Sequence, residues 1–386
     1  MTSTVHGFTS LTGSVGVKAD RSDLALLGVT TQSAASAAVL TQSRFAGPSV
    51  RLAREVDLSA LRGVIVVSGN ANVATGEQGL ADARRLRTWA AERLGCRPEE
   101  VLVASTGVIG VRYPLERMIP GLDALPDAGP LDLDALAQAI MTTDTRPKVA
   151  SRTVATPSGT ATVAGIAKGV GMIEPNMATM ISFVVTDAQV PADDLDRVFR
   201  AVVARTYNAV SVDSDTSTSD TAAVLASGAA GPVDLEAFEA ALLEVCTDLV
   251  KMIASDGEGA TKLVEVRVTG ARDDAQAKLV AKAVVNSPLV KTAVHGADPN
   301  WGRVAMAVGK CETETDIHEE NVRITFGGLE TFPAPVSAER RAELEEYLAR
   351  DEVVIGVDLG IAAGRFTAYG CDLTEGYIRI NADYTT

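Results

Sequence analysis

Aromatic residues are scarce in this chain: Phe, Trp and Tyr make up 4% of its 386 residues. The core must then be built from Val, Leu, Ile and Ala, within a hydrophobic fraction of 46% that is ordinary for a globular protein. Cysteine is equally sparse. Cys96, Cys246, Cys311 and Cys371 lie far apart, with no Cys-x-x-Cys and no Cys/His cluster, which argues against a zinc site and for a reduced, cytoplasmic protein. Basic residues are outnumbered, 35 Lys and Arg against 50 Asp and Glu, for a net charge of −15. Phosphate backbones and anionic headgroups call for a basic face, so neither nucleic acid nor membrane is an expected partner. No apolar run is long enough to span a bilayer, and the first residues lack the basic and apolar regions of a secretory signal. Repeats, low-complexity tails and clear linkers are also missing. The length suits one large domain or two ordinary ones.

What is present is a mixture of strand and helix signals. The first forty or so residues read as irregular strands, and Gly63–Ser68 as a buried β-branched strand. A helix is expected from Gln78 to Leu94, stopped by Gly95, and a short strand at Val101–Ala104. Residues 121–130 read as a loop and 131–140 as a helix. Val154–Ile166 alternates around Pro157-Ser-Gly159, a hairpin signature. Thr179–Thr186 reads as a strand, Asp193–Val210 as an amphipathic helix, Ser211–Ser219 as a polar loop and Leu235–Ile253 as a long helix. Strands at Lys262–Val268, Asn321–Phe326, Val353–Leu359 and within Phe366–Ile380 enclose helices at Asp273–Val285 and Ala338–Leu348. Hairpins beside long helices, without regular βαβ alternation, indicate an α+β protein with mixed or antiparallel sheets.

Chemistry concentrates in one stretch, Lys168-Gly-Val-Gly-Met-Ile-Glu-Pro-Asn-Met-Ala-Thr-Met180, which leads into the run Ile181 to Val185. A threonine hydroxyl can attack the carbonyl of its own upstream peptide, and water can open the resulting ester. Cleavage between Ala178 and Thr179 would free an α-amine within reach of the Thr179 hydroxyl. An α-amine titrates at roughly 7.7–8.0, so one residue then supplies nucleophile and general base. From the residues alone, a plain strand start is the commoner reading of such a threonine.

The same stretch closely resembles the autoproteolysis motif of the ornithine acetyltransferase (glutamate N-acetyltransferase) family. Seven further segments agree in order: Asn70-Ala-Asn-Val-Ala-Thr-Gly76, Ser105-Thr-Gly-Val-Ile-Gly110, Met141-Thr-Thr-Asp-Thr-Arg-Pro-Lys148, Ser214-Asp-Thr-Ser-Thr-Ser-Asp220, Ser255-Asp-Gly-Glu-Gly-Ala-Thr-Lys262, His295-Gly-Ala-Asp-Pro-Asn-Trp-Gly-Arg303 and Asn381-Ala-Asp-Tyr-Thr-Thr386. The resemblance spans essentially the whole chain. It implies a layered α/β/β/α sandwich and self-cleavage into an α chain, residues 1–178, and a β chain, residues 179–386. The two fold together as one catalytic unit and usually associate further as an α2β2 heterotetramer. It also implies ping-pong transfer of acetyl from N-acetylornithine to glutamate through an acetyl-Thr179 enzyme, without metal, coenzyme or acetyl-CoA. Thr106 and Gly107 match the oxyanion hole. Substrate contacts carry over to Thr142, Lys168, Thr179, Glu258, Asn381 and Thr386, with Thr143 the alternative to Thr142. Lys168 suits a substrate carboxylate and Glu258 the ornithine ammonium.

Without the resemblance, Thr106-Gly107 is a glycine turn, Glu258 a solvated turn residue, and Asn381 and Thr386 a frayed end. The acidic loop holding Asp213, Asp215 and Asp220 lacks the glycine and terminal glutamate of an EF-hand, and reads as structure near the site. His295 with Asp298 resembles part of a triad, but the adjacent Pro-Asn-Trp-Gly turn favours a structural role. Two positions depart from many members of the family: Val170, where a small polar residue is usual, and Glu174, where a small or apolar one is usual. With Arg44-Phe-Ala-Gly-Pro-Ser49 and Ile140-Met-Thr-Thr-Asp-Thr-Arg-Pro147, they are more similar to the paralogue found in clavulanic acid gene clusters. Glu174, five residues before the nucleophile, could act on cleavage rate or on acceptor choice. Two rival readings stay open. One is an N-terminal-nucleophile amidohydrolase or aminopeptidase that uses water as acceptor; the other is a paralogue that only binds an amino acid or a partner.

Overall fold

A computed structural model of the chain describes residues 4–174 and 180–383. In chain order its strands are β1 (Phe8–Gly13), β2 (Leu24–Val29), β3 (Ala35–Leu40), β4 (Gly63–Asn70), β5 (Val101–Val108), β6 (Gly129–Pro130), β7 (Lys148–Thr156), β8 (Gly159–Lys168), β9 (Ile181–Gln189), β10 (Thr221–Pro232), β11 (Leu263–Ala271), β12 (Arg323–Phe326), β13 (Leu329–Phe332), β14 (Glu352–Asp358) and β15 (Gly364–Cys371). They form three mixed sheets, ordered β5-β4-β2-β1-β6, β3-β10-β9-β8-β7 and β13-β12-β14-β11-β15.

The first two sheets lie face to face, and side-chain parity shows it. In β9, Ile181, Phe183 and Val185 share a core with Ala25, Leu27, Val64, Val66 and Leu102 of the first sheet. The intervening Val184 turns to the opposite side, against Val198, Phe199 and Val202 of helix Ala192–Arg205 and Leu242, Val245 and Leu249 of helix Leu235–Ser255. Residues of both parities are buried, so β9 is an unbroken apolar run. The outer face of the first sheet (Leu24, Leu26, Ile65, Val67) is covered by Leu80, Ala83 and Leu86 of helix Gly76–Leu94. The order is therefore helix, sheet, sheet, helix, as the family resemblance implies. Each buried Leu, Val, Ile or Phe in these layers contributes about 1.5–3 kcal/mol. The third sheet has its own core, in which Val280 and Val284 of helix Asp274–Val285 and Leu344 of helix Ala338–Leu348 join Val266, Ile324 and Ile355 of the strands.

The structure corrects several expected elements. The N-terminal strands are regular and buried. Residues 121–130 are not all loop, because helix Leu115–Asp123 runs into them. The helix expected to reach Val210 stops at Arg205, where Thr206 leaves helical geometry (φ −123°, ψ −83°). The expected strand through Ile380 ends at Cys371, and Glu375–Asp383 is a helix with no buried residue. Trp301 opens helix Trp301–Gly309 where the sequence suggested only a turn, and Pro288–His295 is a further helix to which the sequence reading assigned no element. Among the described residues, no helix is long and apolar enough to cross a membrane.

Candidate active site

Three neighbouring strands of the second sheet bring their ends together. Lys168 closes β8 and pairs in register with Ile181 at the start of β9. Thr221, which opens β10, pairs with the same Ile181, and its amide donates to the Met180 carbonyl at 3.0 Å. Met180 follows Thr179 directly in the chain. Ala178 and Thr179 themselves, with Thr386, lie outside the described residues.

Across the sandwich, β4 and β5 run parallel and end in an irregularity at Gly69–Asn70. There Gly107 has φ +126°, and a Cβ on it would lie 2.3 Å from the Gly69 carbonyl carbon. No other residue fits such an approach of two backbones. Thr106, one position earlier, accepts a hydrogen bond at 3.1 Å from the Lys168 ammonium. That bond occupies a lone pair of the hydroxyl and leaves its proton free to be donated elsewhere.

Lys168 is only 9% exposed, and burial pushes its pKa down while Asp144 opposes the shift. Asp144 belongs to a buried network. Its carboxylate accepts from Lys148 Nζ and the Gly169 amide, both at 2.8 Å, and from the Thr142 amide at 2.9 Å. Lys148 also donates to Asp256 at 2.6 Å. Burial alone would raise the Asp144 pKa, but Lys168, Lys148 and these hydrogen bonds together hold it at about 2. Buried charges persist only when paired in this way. The network joins the 141–148 segment to the turn after helix Leu235–Ser255, and so sets the position of Glu258. The Glu258 carboxylate accepts from Thr143 Oγ1 at 3.0 Å and from Asn381 Nδ2 at 2.9 Å. A Cβ on Gly171 would lie 2.4 Å from Glu258 Oε2, so glycine is what leaves space for this carboxylate.

Thr106, Gly107, Thr142, Thr143, Lys168, Glu258 and Asn381 all line one pocket, with Met180 and Ile181 on its wall. Residues from widely separated segments thus line one pocket, and Glu258 is hydrogen-bonded within it rather than a solvated turn residue. The Thr143 hydroxyl is committed to Glu258, whereas that of Thr142 makes no hydrogen bond to a described residue. The acidic loop is structural and flanks the site. Asp213 accepts from the Met172 and Ile173 amides at 2.6 and 2.7 Å, fixing Met172 at φ +55°. Among the described residues, no group of acidic, His or Cys side chains has the arrangement of a metal site.

Glu174 does not line the pocket. It accepts from Asn286 Nδ2 at 2.5 Å and Ser211 Oγ at 3.3 Å, and lies 3.7 Å from Lys282 Nζ, which burial lowers to about 8. It therefore ties Glu174 to Asn286 and helix Asp274–Val285 of the third sheet, away from the pocket. His295 bonds Asp372 at 2.9 Å rather than Asp298, and the pair lies outside the pocket. Sequence reasoning missed Asp144, Lys148, Asp256, Tyr377 and the direct part played by Asp213. The available signal was that the recognised 141–148 segment carries an acid and a lysine four residues apart, while a buried Lys168 requires a counter-charge.

The fold and pocket define an enzyme built on an α/β/β/α sandwich, with a lysine, an acid and potential oxyanion donors gathered at the sheet ends. The ArgJ family model, described as "ArgJ family", matches residues 10–386, and the chain belongs to that family. The arginine biosynthesis bifunctional protein ArgJ of Rhodococcoides fascians is 53% identical over 385 residues, 99% of this chain and 94% of that protein. Glutamate N-acetyltransferase Oat2 of Streptomyces clavuligerus is 56% identical over 391 aligned positions, 99% of this chain and 98% of that protein. The crystal structure of the arginine biosynthesis bifunctional protein from Bacillus halodurans matches with a TM-score of 0.50 and 44% identity, over 53% of this chain and 100% of that one.

Proposed function

We propose that this enzyme is a self-processing acyltransferase that moves acetyl from N-acetylornithine to glutamate, giving ornithine and N-acetylglutamate. The observation that carries this reading is the pocket itself. A buried lysine for a carboxylate, an acid for an ammonium, and the Thr106–Gly107 pair surround the residue that follows Thr179. In the precursor the Thr179 hydroxyl attacks the Ala178 carbonyl, and water opens the ester. The freed amine then acts as base to the hydroxyl, which takes acetyl from the donor and passes it to glutamate. The Thr106 hydroxyl and the Gly107 N–H serve the tetrahedral oxyanion. Lys168 and Thr142 take the substrate carboxylate, and Glu258 takes the ornithine ammonium, steadied by Asn381; Thr386 completes the contacts. The reaction belongs to arginine biosynthesis, where the Rhodococcoides fascians relative is named. The Streptomyces clavuligerus relative fits a second setting, antibiotic biosynthesis.

Sheet pairing supports two chains that stay together. The β8–β9 and β3–β10 ladders each join a strand before residue 178 to one after it, so cleavage leaves the second sheet intact. Residues 179–386 are 208 of 386, about 54% of the chain, close to the 53% that matches the complete Bacillus halodurans chain. The processed pair assembles as an α2β2 heterotetramer in the cytoplasm. The test is incubation with N-acetylornithine, with and without glutamate. N-acetylglutamate should form only when both are present. Acetate release that glutamate leaves unchanged would mean hydrolysis and sink the transferase reading.

A further inference from the structure

The loop between β1 and β2 lines no part of the pocket, yet it is built onto the segment that carries Thr142. Asp23, its last residue, is buried, and its carboxylate gathers the loop. It accepts from the Val15 amide at 2.6 Å, the Val17 amide at 2.7 Å and the Lys18 amide at 2.9 Å. The Asp23 carbonyl accepts from the Ser68 amide of β4 at 2.9 Å, which fixes the loop to the strand that reaches Gly69, behind Gly107. Two cations extend from this base. The Lys18 ammonium donates to the Met141 carbonyl at 2.6 Å, to Ser68 Oγ at 2.5 Å and to the Ser22 carbonyl at 3.4 Å. The Arg21 guanidinium donates to the next carbonyl, that of Thr142, at 2.8 Å. Helix Leu133–Ile140 ends here with Met141 as its cap, and carbonyls at a helix C-terminus lack intrahelical donors and attract cations.

Thr142 is thereby held at three backbone points. Asp144 takes its amide, Arg21 its own carbonyl and Lys18 the carbonyl before it. Its hydroxyl makes no hydrogen bond to a described residue, and Thr142 lines the pocket. The acceptors of the Lys18 ammonium are two carbonyls and a hydroxyl, none of them charged. Burial lowers its pKa to about 8, with Arg21 and Lys168 adding to the shift and Asp23 opposing it. Holding such a cation works against folding at neutral pH, so stability does not account for its position. We propose that Lys18 and Arg21 are positioning residues for acetyl transfer, setting through two successive carbonyls where the Thr142 hydroxyl meets the substrate carboxylate. This rests on the assignment of Thr142 to that carboxylate under the proposed function. Neither cation touches the substrate; both act through Thr142, and a misplacement of about 1 Å in such a contact can cost on the order of 100-fold in rate.

The test is a double-mutant cycle on the purified enzyme, read in kcat/KM for N-acetylornithine. Lys18→Met keeps an aliphatic stem beside Gly69 and removes the ammonium. Arg21→Gln removes the second cation at an exposed position. Each should lower kcat/KM roughly 10-fold, mainly through KM, with Tm within about 2 °C of wild type. Thr142→Val alone should also lower it roughly 10-fold. Once Thr142→Val is present, adding Lys18→Met or Arg21→Gln should cost less than about 2-fold more, because the cations then have no hydroxyl to place. Losses that multiply would mean a structural role away from Thr142 and overturn the proposal, as would kinetics equal to wild type in both single variants. If Lys18→Met does not fold, Arg21→Gln decides, alone and combined with Thr142→Val. If Thr142→Val leaves KM unchanged, the assignment of Thr142 fails and takes this proposal with it. If wild type transfers no acetyl at all, it is the proposed function that fails.

Discussion

Asp144→Asn perturbs the site from behind the pocket wall. Lys148 and Asp144 have no exposed side-chain surface, and Asp256 has 3%. An asparagine oxygen can still accept from Lys148 and Gly169. Its amide must then face the Thr142 N–H, donor against donor, and Lys148 is left with Asp256 as its only ionic partner. Breaking a buried pair in this way costs about 3–5 kcal/mol, or roughly 4–6 °C in Tm for a chain of this size. The same substitution removes the largest favourable charge acting on Lys168. The Lys168 pKa falls further, less of it is protonated at a given pH, and KM for both substrates rises, recovering as pH is lowered. Stability has its own pH signature. The Asp144 pKa is about 2 in the folded chain against an ordinary 3.8. The wild-type advantage is therefore fully present above pH 4 and is lost as pH falls toward 2, at roughly 2 kcal/mol. Calorimetry and steady-state kinetics on both proteins measure these effects. A Tm within about 1 °C of wild type and an unchanged KM would refute the argued network.

Three other substitutions separate the roles assigned to the pocket. Thr106→Ala should lower kcat by roughly 10- to 1000-fold with little change in Tm, if its hydroxyl serves the oxyanion. Gly107→Ala forces a Cβ against the Gly69 backbone at φ +126°, and should cost about 3 kcal/mol or more and leave little activity, as read by thermal melting and turnover. Gly171→Ala displaces the Glu258 carboxylate, whose Oε1 accepts from Thr143 and whose Oε2 accepts from Asn381. It should raise KM for N-acetylornithine by roughly 10- to 100-fold, the loss of a charged hydrogen bond, with a smaller effect on glutamate.

Legibility of the fold in the sequence followed its patterning. β4, β7, β8 and β11 announce themselves by β-branched runs or alternation, and the helix at 76–94 by its apolar face and closing Gly95. β10 escaped because Thr221-Ala-Ala-Val-Leu-Ala-Ser-Gly-Ala-Ala-Gly-Pro232 is rich in Ala and Gly, whose intrinsic strand preference is low. Its place between β3 and β9 makes it a strand all the same. Tyr377-Ile-Arg-Ile380 alternates like a strand, yet lies in a helix with no buried residue, where nothing rewards the alternation. At the site, Thr106, Gly107, Lys168, Glu258 and Asn381 were recognisable from motif resemblance. The Asp144–Lys148–Asp256 network was not, because its logic is burial and pairing across more than a hundred residues of sequence.

The central claim is that the chain cuts itself before Thr179 and then carries acetyl on that residue. Intact mass of the purified protein, before and after N-acetylornithine alone, tests it most directly. The account predicts two fragments, residues 1–178 and 179–386, with the second gaining one acetyl group that Thr179→Ala abolishes along with cleavage. A single uncut chain with its Thr179 in place, or two fragments that never take up acetyl, would contradict it.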